Sequence, residues 1–266
     1  MKRALLLTLA TVAIALPQDK QARGKQIIDA TLAALGGERF LRMQDRVETG
    51  RAFSFYRERM SGLSRATIYT RYLTRPEPPV AGFIGQRERQ SFGKDEASGA
   101  VLFTENEGWQ ITYRGASPVL KDLLERYQIS LLRNIFYILR MRLGEKGLLF
   151  ELDKTDIVDN QPVEILYITD SDNREVTVHI HRSTHLPVRQ VYYRRNPISK
   201  ERMEEVTVFG KYRDVGGGVQ WPYSIQRFRD GEKLFELYAD SVVINQGLTD
   251  TLFSFSTDMK ILKPPR

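Results

Sequence analysis

Residues 176–193 read VTVHIHRSTHLPVRQVYY and hold two short segments separated by a single turn. In the first segment, apolar side chains at every second position alternate with polar ones, which is the pattern of a half-buried strand. The second segment begins at Pro187, directly after the turn at His185. Strands joined by so short a turn must be antiparallel, so this stretch predicts one hairpin of an antiparallel sheet.

The same pattern recurs along most of the chain from Val47 onward. Short segments rich in Tyr, Phe, Thr and Val are separated by turn residues such as Asp230-Gly231. The predicted strands are 46–56, 63–73, 82–92, 99–104, 108–114, 148–156, 162–169, 174–181, 187–194, 203–212, 219–229 and 232–244. Because the connections are short, the sequence predicts a mainly β meander and no βαβ units.

Two segments have helical character instead. Residues 21–35 carry apolar side chains at helical spacing and end at Gly36-Gly37, which predicts a first helix. Residues 117–143 predict a longer helix in which Ser117 is the N-cap and Pro118 occupies the first helical position. The second half of this helix is apolar on most faces and therefore has to be covered.

Two interpretations of the helix at 117–143 stay open. It is either a core helix packed on the sheet, or a lid over an apolar cavity that moves when a hydrophobic ligand enters. A transmembrane span is disfavoured because charged side chains punctuate the helix.

The faces of two strands indicate the shape of the sheet. Trp109 and Tyr113 share one face of their strand, and Trp221 and Tyr223 share one face of another, with mostly polar residues opposite. A long sheet with one aromatic face and one polar face curls into an open or half-closed barrel around a hydrophobic hollow.

The first fifteen residues have the pattern of a secretory signal peptide. Lys2 and Arg3 precede the apolar run 4–15, which ends in the cleavage signature Ala13-Ile14-Ala15. We therefore expect residues 1–15 to direct export to the periplasm and residues 16–266 to form a single domain. The chain contains no Cys, so an exported protein of this sequence has no disulfide bonds.

Catalytic motifs are scarce. The sequence contains no Cys nucleophile, no G-x-S-x-G, no H-E-x-x-H and no P-loop. The three histidines of the chain, His179, His181 and His185, fall within seven residues and raise the hypothesis of a metal-dependent hydrolase. No carboxylate lies in that stretch, so two solvent-facing strand residues and one turn residue are the simpler interpretation. We predict no metal, no cofactor and no catalytic residue.

The net charge of +7 does not indicate a nucleic-acid partner, since the arginines are spread along the strands and no nucleic-acid-binding pattern is present. An anionic membrane surface or an acidic ligand remains open.

Several short motifs resemble the LolA/LolB-like group of bacterial outer-membrane lipoprotein-sorting proteins. They are the turn Ser183-Thr184-His185-Leu186-Pro187-Val188-Arg189, the hairpin with Tyr212, Arg213, Val215, Gly217 and Pro222, the end with Val242, Asn245, Phe253 and Phe255, and Leu35-Gly36-Gly37 after the first helix. The resemblance extends over about residues 20 to 256. It implies an incomplete antiparallel β-barrel whose concave, hydrophobic face is covered by helices.

The resemblance also implies a function, because the founding members of the group hold acyl chains in that hollow. We predict a periplasmic, monomeric carrier or sensor that binds acyl chains of lipoproteins or other lipids without making or breaking a bond. The candidate cavity-lining residues are Trp109, Tyr113, Leu132, Ile135, Phe136, Leu139, Trp221 and Tyr223. The alternatives are a module that binds an envelope protein in signalling or assembly, and the hydrolase based on the three histidines.

Overall fold

The computed structural model describes residues 17–93, 99–196 and 198–264, and the predicted signal peptide lies outside these ranges. The strands in the described residues are β1 Asp45–Tyr56, β2 Arg59–Tyr72, β3 Gln86–Phe92, β4 Ala100–Phe103, β5 Gly108–Thr112, β6 Gly115–Pro118, β7 Leu149–Val158, β8 Gln161–Thr169, β9 Glu175–His181, β10 Pro187–Arg195, β11 Arg202–Asp214, β12 Gln220–Arg229 and β13 Glu232–Ile244. The helices are α1 Pro17–Ala34, α2 Glu38–Leu41, α3 Lys121–Leu132 and α4 Ile135–Tyr137, followed by a π-helical turn at Ile138–Arg142 and a 3-10 turn at Asp250–Phe253.

All thirteen strands belong to one antiparallel sheet in the order β6-β5-β4-β3-β2-β1-β13-β12-β11-β10-β9-β8-β7. Two meanders, β1 to β6 and β7 to β13, are therefore joined side by side where β1 pairs with β13. Because β6 and β7 have no strand beyond them, the barrel is incomplete. The predicted fold class, an open antiparallel half-barrel with helices over its concave face, is confirmed.

The hairpin at 176–193 forms as predicted. In β9, Val176, Val178 and Ile180 are buried, and Ile180 pairs with Pro187 of β10. The turn is closed by the N–H of His185, which donates to the carbonyl of His181 at 2.8 Å. His185 has a φ of 56°, a left-handed conformation that a tight turn requires at this position.

The strand predictions agree with the structure except at β6. Each of the twelve predicted strands has a counterpart whose ends lie within four residues of the prediction. The prediction that Ser117 and Pro118 begin a helix is wrong, because both residues belong to β6 and the helix begins at Lys121.

The long helix predicted at 117–143 is also divided. α3 ends at Leu132, and α4 starts after Asn134, whose side-chain carbonyl accepts hydrogen bonds from the backbone N–H of Phe136 and Tyr137 at 3.0 and 3.3 Å. This cap starts a new helix with a new axis, because the capping residue itself has an extended backbone. The side chain of Gln190 accepts from the backbone N–H of Ile135 at 3.0 Å and holds the break against β10.

The two outer strands of the sheet are covered by other parts of the chain. α1 packs on β7 so closely that a Cβ on Gly24 would lie 2.4 Å from the carbonyl oxygen of Phe150, so only glycine fits there. On the other edge, Ala116 of β6 donates to the carbonyl of Lys260 at 2.9 Å and accepts from the N–H of Leu262 at 2.8 Å. Both edges thus have backbone neighbours.

Most of the core lies between the concave face of β7 to β12 and the helices α1, α2 and α4. The largest of its fully buried side chains are Ile28, Leu35, Phe40, Met43, Ile135, Ile138, Leu139, Leu166, Ile168 and Ile180. In the described part of the chain, no helix has the length and apolar character that crossing a membrane requires.

Candidate functional site

A cavity of about 480 Å³ lies between α3 and the concave face of the sheet. Its volume falls within the range of small-molecule sites, about 300 to 1,000 Å³. α3 reaches it because the segment between β6 and β7 connects opposite edges of the sheet and therefore crosses the concave face. The wall residues come from α3 and α4, from β1 to β4 and from β10 to β13.

One part of the wall is aromatic and apolar. Phe136 packs against Phe209 with 5.0 Å between ring centroids and against Trp221 with 4.7 Å. Leu131 from α3 and Leu237 from β13 extend this surface. An aliphatic chain placed here would replace water on apolar carbon, which is favourable by about 0.8 kcal/mol per CH₂ group.

The wall on β1 and β2 is charged. Arg46 donates from Nε to Oε1 of Glu48 at 2.6 Å and from Nη1 to the hydroxyl of Tyr72 at 2.6 Å. Its guanidinium lies 3.9 Å from the ring centroid of Trp221. Burial alone would lower the pKa of Arg46, but Tyr72 and Glu48 raise it above its ordinary value. Arg46 therefore stays charged inside the cavity wall.

The carboxylates of this wall are less fully paired. Glu48 is 3% exposed, and its Oε2 has no hydrogen-bond partner among the described residues. Among the described residues, Glu88 on β3 accepts hydrogen bonds only from the side-chain amides of Gln86 and Gln90. Burial raises the pKa of Glu88, although the Gln90 hydrogen bond and the charges of Arg227 and Arg46 partly offset this.

A second charged group lies on β10, β11 and β12. Oε1 of Glu205 accepts from Nε of Arg194 at 2.7 Å and from Nε of Arg229 at 2.8 Å. Arg227, two residues before Arg229 on the same face of β12, lines the cavity as well. Two guanidiniums therefore pair with one carboxylate here, and a third, that of Arg227, lies on the same face of the sheet.

Tyr127 holds α3 over the cavity. Its ring stacks on Phe103 of β4 at 3.9 Å between centroids, and its hydroxyl accepts a hydrogen bond from Nε2 of Gln86 at 3.1 Å. Burial raises the pKa of Tyr127 well above its usual value, so the hydroxyl stays neutral. Among the described residues, no ion pair joins α3 to the sheet. Besides this contact, α3 is held by apolar packing, by the amide of Gln128, which donates to the carbonyl of Glu105 at 3.4 Å, and by a hydrogen bond between Ser130 and Tyr192.

The structure brings two of the eight predicted cavity residues, Phe136 and Trp221, together on the cavity wall. Ile135, Leu139 and Tyr223 are buried in the main core, and Leu132 is buried beside Tyr137 in a smaller cluster. These four side chains are packed in the protein interior and do not line the cavity.

Trp109 and Tyr113 lie away from the cavity. Trp109 packs on Phe255 at 4.9 Å between ring centroids, on the face of the sheet opposite to Phe103. Tyr113 is 80% exposed at the turn between β5 and β6. The aromatic face of β5 is therefore the outer face of the sheet, which the chain around Phe253 and Phe255 covers. The alternation of these side chains was predicted, but the sequence analysis placed Trp109 and Tyr113 on the cavity wall, where the structure does not have them.

The three histidines have separate environments. The Nδ1 atom of His181 accepts from the backbone N–H of Ser183 and Thr184, each at 3.3 Å, and so caps the turn. Burial, assisted by the charge of Arg189, lowers the pKa of His179 to about 4, so this ring is neutral at physiological pH. Nowhere in residues 17–93, 99–196 and 198–264 do three His, Asp or Glu side chains group to hold a metal ion. The structure gives the hydrolase hypothesis no support.

The charged cavity residues were missed from the sequence. Arg46 and Glu48 have the two-residue spacing of one strand face, but so do many solvent-facing pairs. In β3, the neighbouring positions Arg87 and Arg89 are charged too, so no contrast between its faces points to Glu88. Only the pairing of β1 with β2 and of β2 with β3 shows that these residues share the concave face.

No family model matches the chain, and no curated protein matches its sequence. Solved structures do match. A domain described as an outer membrane lipoprotein-sorting protein from Vibrio parahaemolyticus is 13% identical, with a TM-score of 0.56 over 88% of this chain and 97% of that one. A LolA superfamily protein from Nitrosomonas europaea is 12% identical, with a TM-score of 0.53 over 87% of this chain and 97% of that one.

This chain has the LolA-like fold. A DUF1329 family protein from Desulfovibrio piger shares it, at 12% identity and a TM-score of 0.58 over 86% of this chain and 96% of that one. The resemblance found in the turn and hairpin motifs is thus confirmed at the level of the fold. Identities this low establish the LolA-like architecture and leave the function to be argued from the site itself.

Proposed function

We propose that this LolA-like protein binds one acyl chain of a lipid or lipoprotein, without covalent chemistry, in the cavity under α3. The observation that carries the proposal is the cavity itself, about 480 Å³ in volume and partly walled by Phe136, Phe209 and Trp221. A fully packed core would have left no such space, since protein interiors are normally close-packed. The predicted signal peptide, residues 1–15, would place this carrier or sensor in the periplasm.

The similarity to a lipoprotein-sorting domain supports the proposal only through the fold, because that fold provides a concave face under a helical cover. The affinity would come from burial of methylene groups, offset by the work of displacing α3. The protein would act as a monomer and would need no cofactor.

The direct test is native mass spectrometry of the protein purified from the envelope of its host. We expect a bound species whose mass is that of a lipid, and a rise in melting temperature when fatty acids are added to the emptied protein. A clean unliganded mass together with no thermal protection would contradict the proposal.

A substitution that fills the cavity provides the matched test. Ser130 lies on α3 and lines the cavity, so Ser130→Phe places a ring in the space that the chain would occupy. We expect binding of a fluorescent fatty acid to fall at least tenfold. Glu125→Phe, on the exposed face of the same helix, is the control and should bind as the wild type does.

A second candidate function is binding of an envelope protein, and the tip of the β1–β2 hairpin favours it. Tyr56, Met60 and Leu63 there are each more than half exposed. If this function holds, affinity purification from envelope extracts recovers one stoichiometric protein and no lipid. The triple variant in which Tyr56, Met60 and Leu63 are replaced by Ser should no longer bind that protein. Recovery of the same protein by the triple variant would rule out the hairpin tip as the contact.

A further inference from the structure

We propose that the ligand of this cavity is an anionic amphiphile, whose phosphate or carboxylate group binds Arg194, Arg227 and Arg229 while its single aliphatic chain lies along the aromatic wall. This inference rests on the proposed function and adds the charge and the orientation of the ligand. The three arginines, hereafter the arginine cluster, all line the cavity.

The arginine cluster has an excess of positive charge. Its one carboxylate, Glu205, is shared by Arg194 and Arg229, and in both contacts the donor is Nε and the acceptor is Oε1. The Nη groups of these two guanidiniums are not used in those bonds. A guanidinium presents five N–H donors in a fixed fork, so donors remain for a second anion.

Arg227 adds a third guanidinium. Its guanidinium carbon lies 5.7 Å from the centroid of the Phe235 ring, and its charge acts on Glu88. It is not among the residues that form ion pairs within 4 Å in the described ranges. Thr207 and Glu205 of β11 pair with Arg227 and Arg229 of β12, so all four side chains face the same side of the sheet.

Burial strengthens the charge of Arg194. Its side chain is 10% exposed and that of Glu205 is 15% exposed, whereas the side chain of Arg229 is 32% exposed and Arg227 is exposed. A charge-assisted hydrogen bond to Arg194 is therefore screened less by salt than one on the open surface. Arg227 and Arg229 are the more accessible donors of the cluster.

The opposite wall sets the orientation. Glu48 on β1 and Glu88 on β3 lie near the guanidinium of Arg46, which already donates to Glu48, Tyr72 and Thr70, and Glu88 is also within reach of the charge of Arg227. An anionic group is repelled from that wall and attracted to the arginine cluster. The chain then runs over Phe209 on β11 and Trp221 on β12, the strand that also carries Arg227 and Arg229.

Displacement of a fluorescent fatty-acid probe from the full exported chain tests the inference, with dodecyl phosphate, dodecanol, dodecylamine and inorganic phosphate as competitors. We expect dodecyl phosphate to bind at least tenfold more tightly than dodecanol. Arg227→Gln should weaken the binding of dodecyl phosphate about tenfold and change the binding of dodecanol much less. Arg195→Gln is the matched control, because Arg195 is exposed and points away from Arg194 on the same strand.

Arg229→Gln is the second variant. It should also lower the affinity for dodecyl phosphate, while Arg194 still pairs with Glu205. Circular dichroism and urea unfolding of each variant establish that it is folded. Equal binding of dodecyl phosphate and dodecanol would overturn the inference and leave the proposed function standing. Tighter binding of dodecylamine would place the polar group on the carboxylate wall and likewise overturn it.

The remaining outcomes separate the sources of the anion. If inorganic phosphate competes as well as dodecyl phosphate, the cluster is a site for a free anion, and the amphiphile is excluded. If no long-chain competitor binds and the probe itself does not bind, the proposed function fails together with the inference.

Discussion

The segment that crosses the concave face covers two regions of different character. Under α4 and the π-helical turn, Ile135, Ile138 and Leu139 are fully buried against the sheet and the N-terminal helices. Under α3, the same sheet leaves a cavity with charged walls. We call these the packed half and the open half. The difference shows that one cover performs two tasks, stabilising the fold at one end and leaving room for a ligand at the other.

The charges differ between the halves in the same way. In the packed half, Arg142 donates to Glu145 at 2.7 Å and to Asp170 at 2.8 Å, and all three side chains are at most 5% exposed. In the open half, and among the described residues, Oε2 of Glu48 has no hydrogen-bond partner and Glu88 accepts from two side-chain amides and from no arginine. Complete pairing stabilises a fixed structure, whereas incomplete pairing leaves groups that can respond to a ligand.

The largest expected effect breaks the buried network of the packed half. Arg142→Met leaves Glu145 buried without its partner and Asp170 with Arg174 alone, and should cost about 3–5 kcal/mol of unfolding free energy, measured by urea denaturation. Arg126→Met, which removes an exposed pair with Asp122 on α3, should cost less than about 1 kcal/mol. Similar losses in the two variants would contradict the distinction between the halves.

Truncation of one leucine in each half compares their packing. Leu139→Ala in the packed half should destabilise the protein by about 2–5 kcal/mol, because a fully buried side chain leaves a cavity that the surroundings cannot fill. Leu123→Ala, at a partly exposed position on α3, should cost less than about 1 kcal/mol. Thermal or urea unfolding measures both, and a larger loss for Leu123→Ala would refute the comparison.

The two buried carboxylates should respond oppositely to pH. Burial would raise the pKa of Asp170, but Arg142 and Arg174 lower it, so its stabilising contribution is present at neutral pH and is lost in acid as the carboxylate is protonated. The pKa of Glu88 is raised, so the folded state takes up a proton first and gains stability as the pH falls towards the ordinary pKa.

We therefore expect Asp170→Asn to be less stable than the wild type at pH 7 by about 2 kcal/mol, with the difference shrinking in acid. Glu88→Gln should be as stable as the wild type or more so at pH 7, and this advantage should disappear as the pH approaches 4.5. Urea denaturation of the wild type and the two variants at several pH values measures these differences in unfolding free energy. If both variants show the same sign of pH dependence, the assignment of one of the carboxylates is wrong.

The smallest expected effect concerns the contact that holds α3. Tyr127→Phe keeps the stacking on Phe103 and removes only the hydroxyl that accepts from Gln86, so it should cost about 0.5–1.5 kcal/mol. Hydrogen exchange should increase in α3 and stay unchanged in α4. Equal increases in both helices would show that the cover moves as one body.

The sequence predicts the sheet well because strand signals are local. Alternation in β8 to β13 and the turn residues between them are sufficient to place each strand, and the hairpin at 176–193 is the clearest case. β6 is missed because Gly115-Ala116-Ser117-Pro118 has small side chains and no alternation, and because Ser-Pro before an apolar run is also the start signal of a helix. The break at Asn134 was missed because its capping bonds and the contact with Gln190 depend on the folded arrangement.

The site is much less predictable. Apolar sequence patterns correctly predict Phe136 and Trp221 as cavity residues. They do not indicate Glu88 or the arginine cluster, because a charged residue on a strand usually faces solvent. Trp109 illustrates the converse problem. Its strand has a clear aromatic face, but the C-terminal chain around Phe255, far away in sequence, decides that this face is the outer one.

The covered edges have a consequence for how molecules of this protein behave towards one another. β6 is bordered by the chain at Lys260–Leu262, and β7 is bordered by α1, so neither outer strand offers a free row of backbone groups at these contacts. Strand addition, the route by which exposed sheets recruit other chains and grow into fibres, is thereby blocked at Ala116 and Phe150. At these two places another chain cannot extend the sheet and has to bind through side chains.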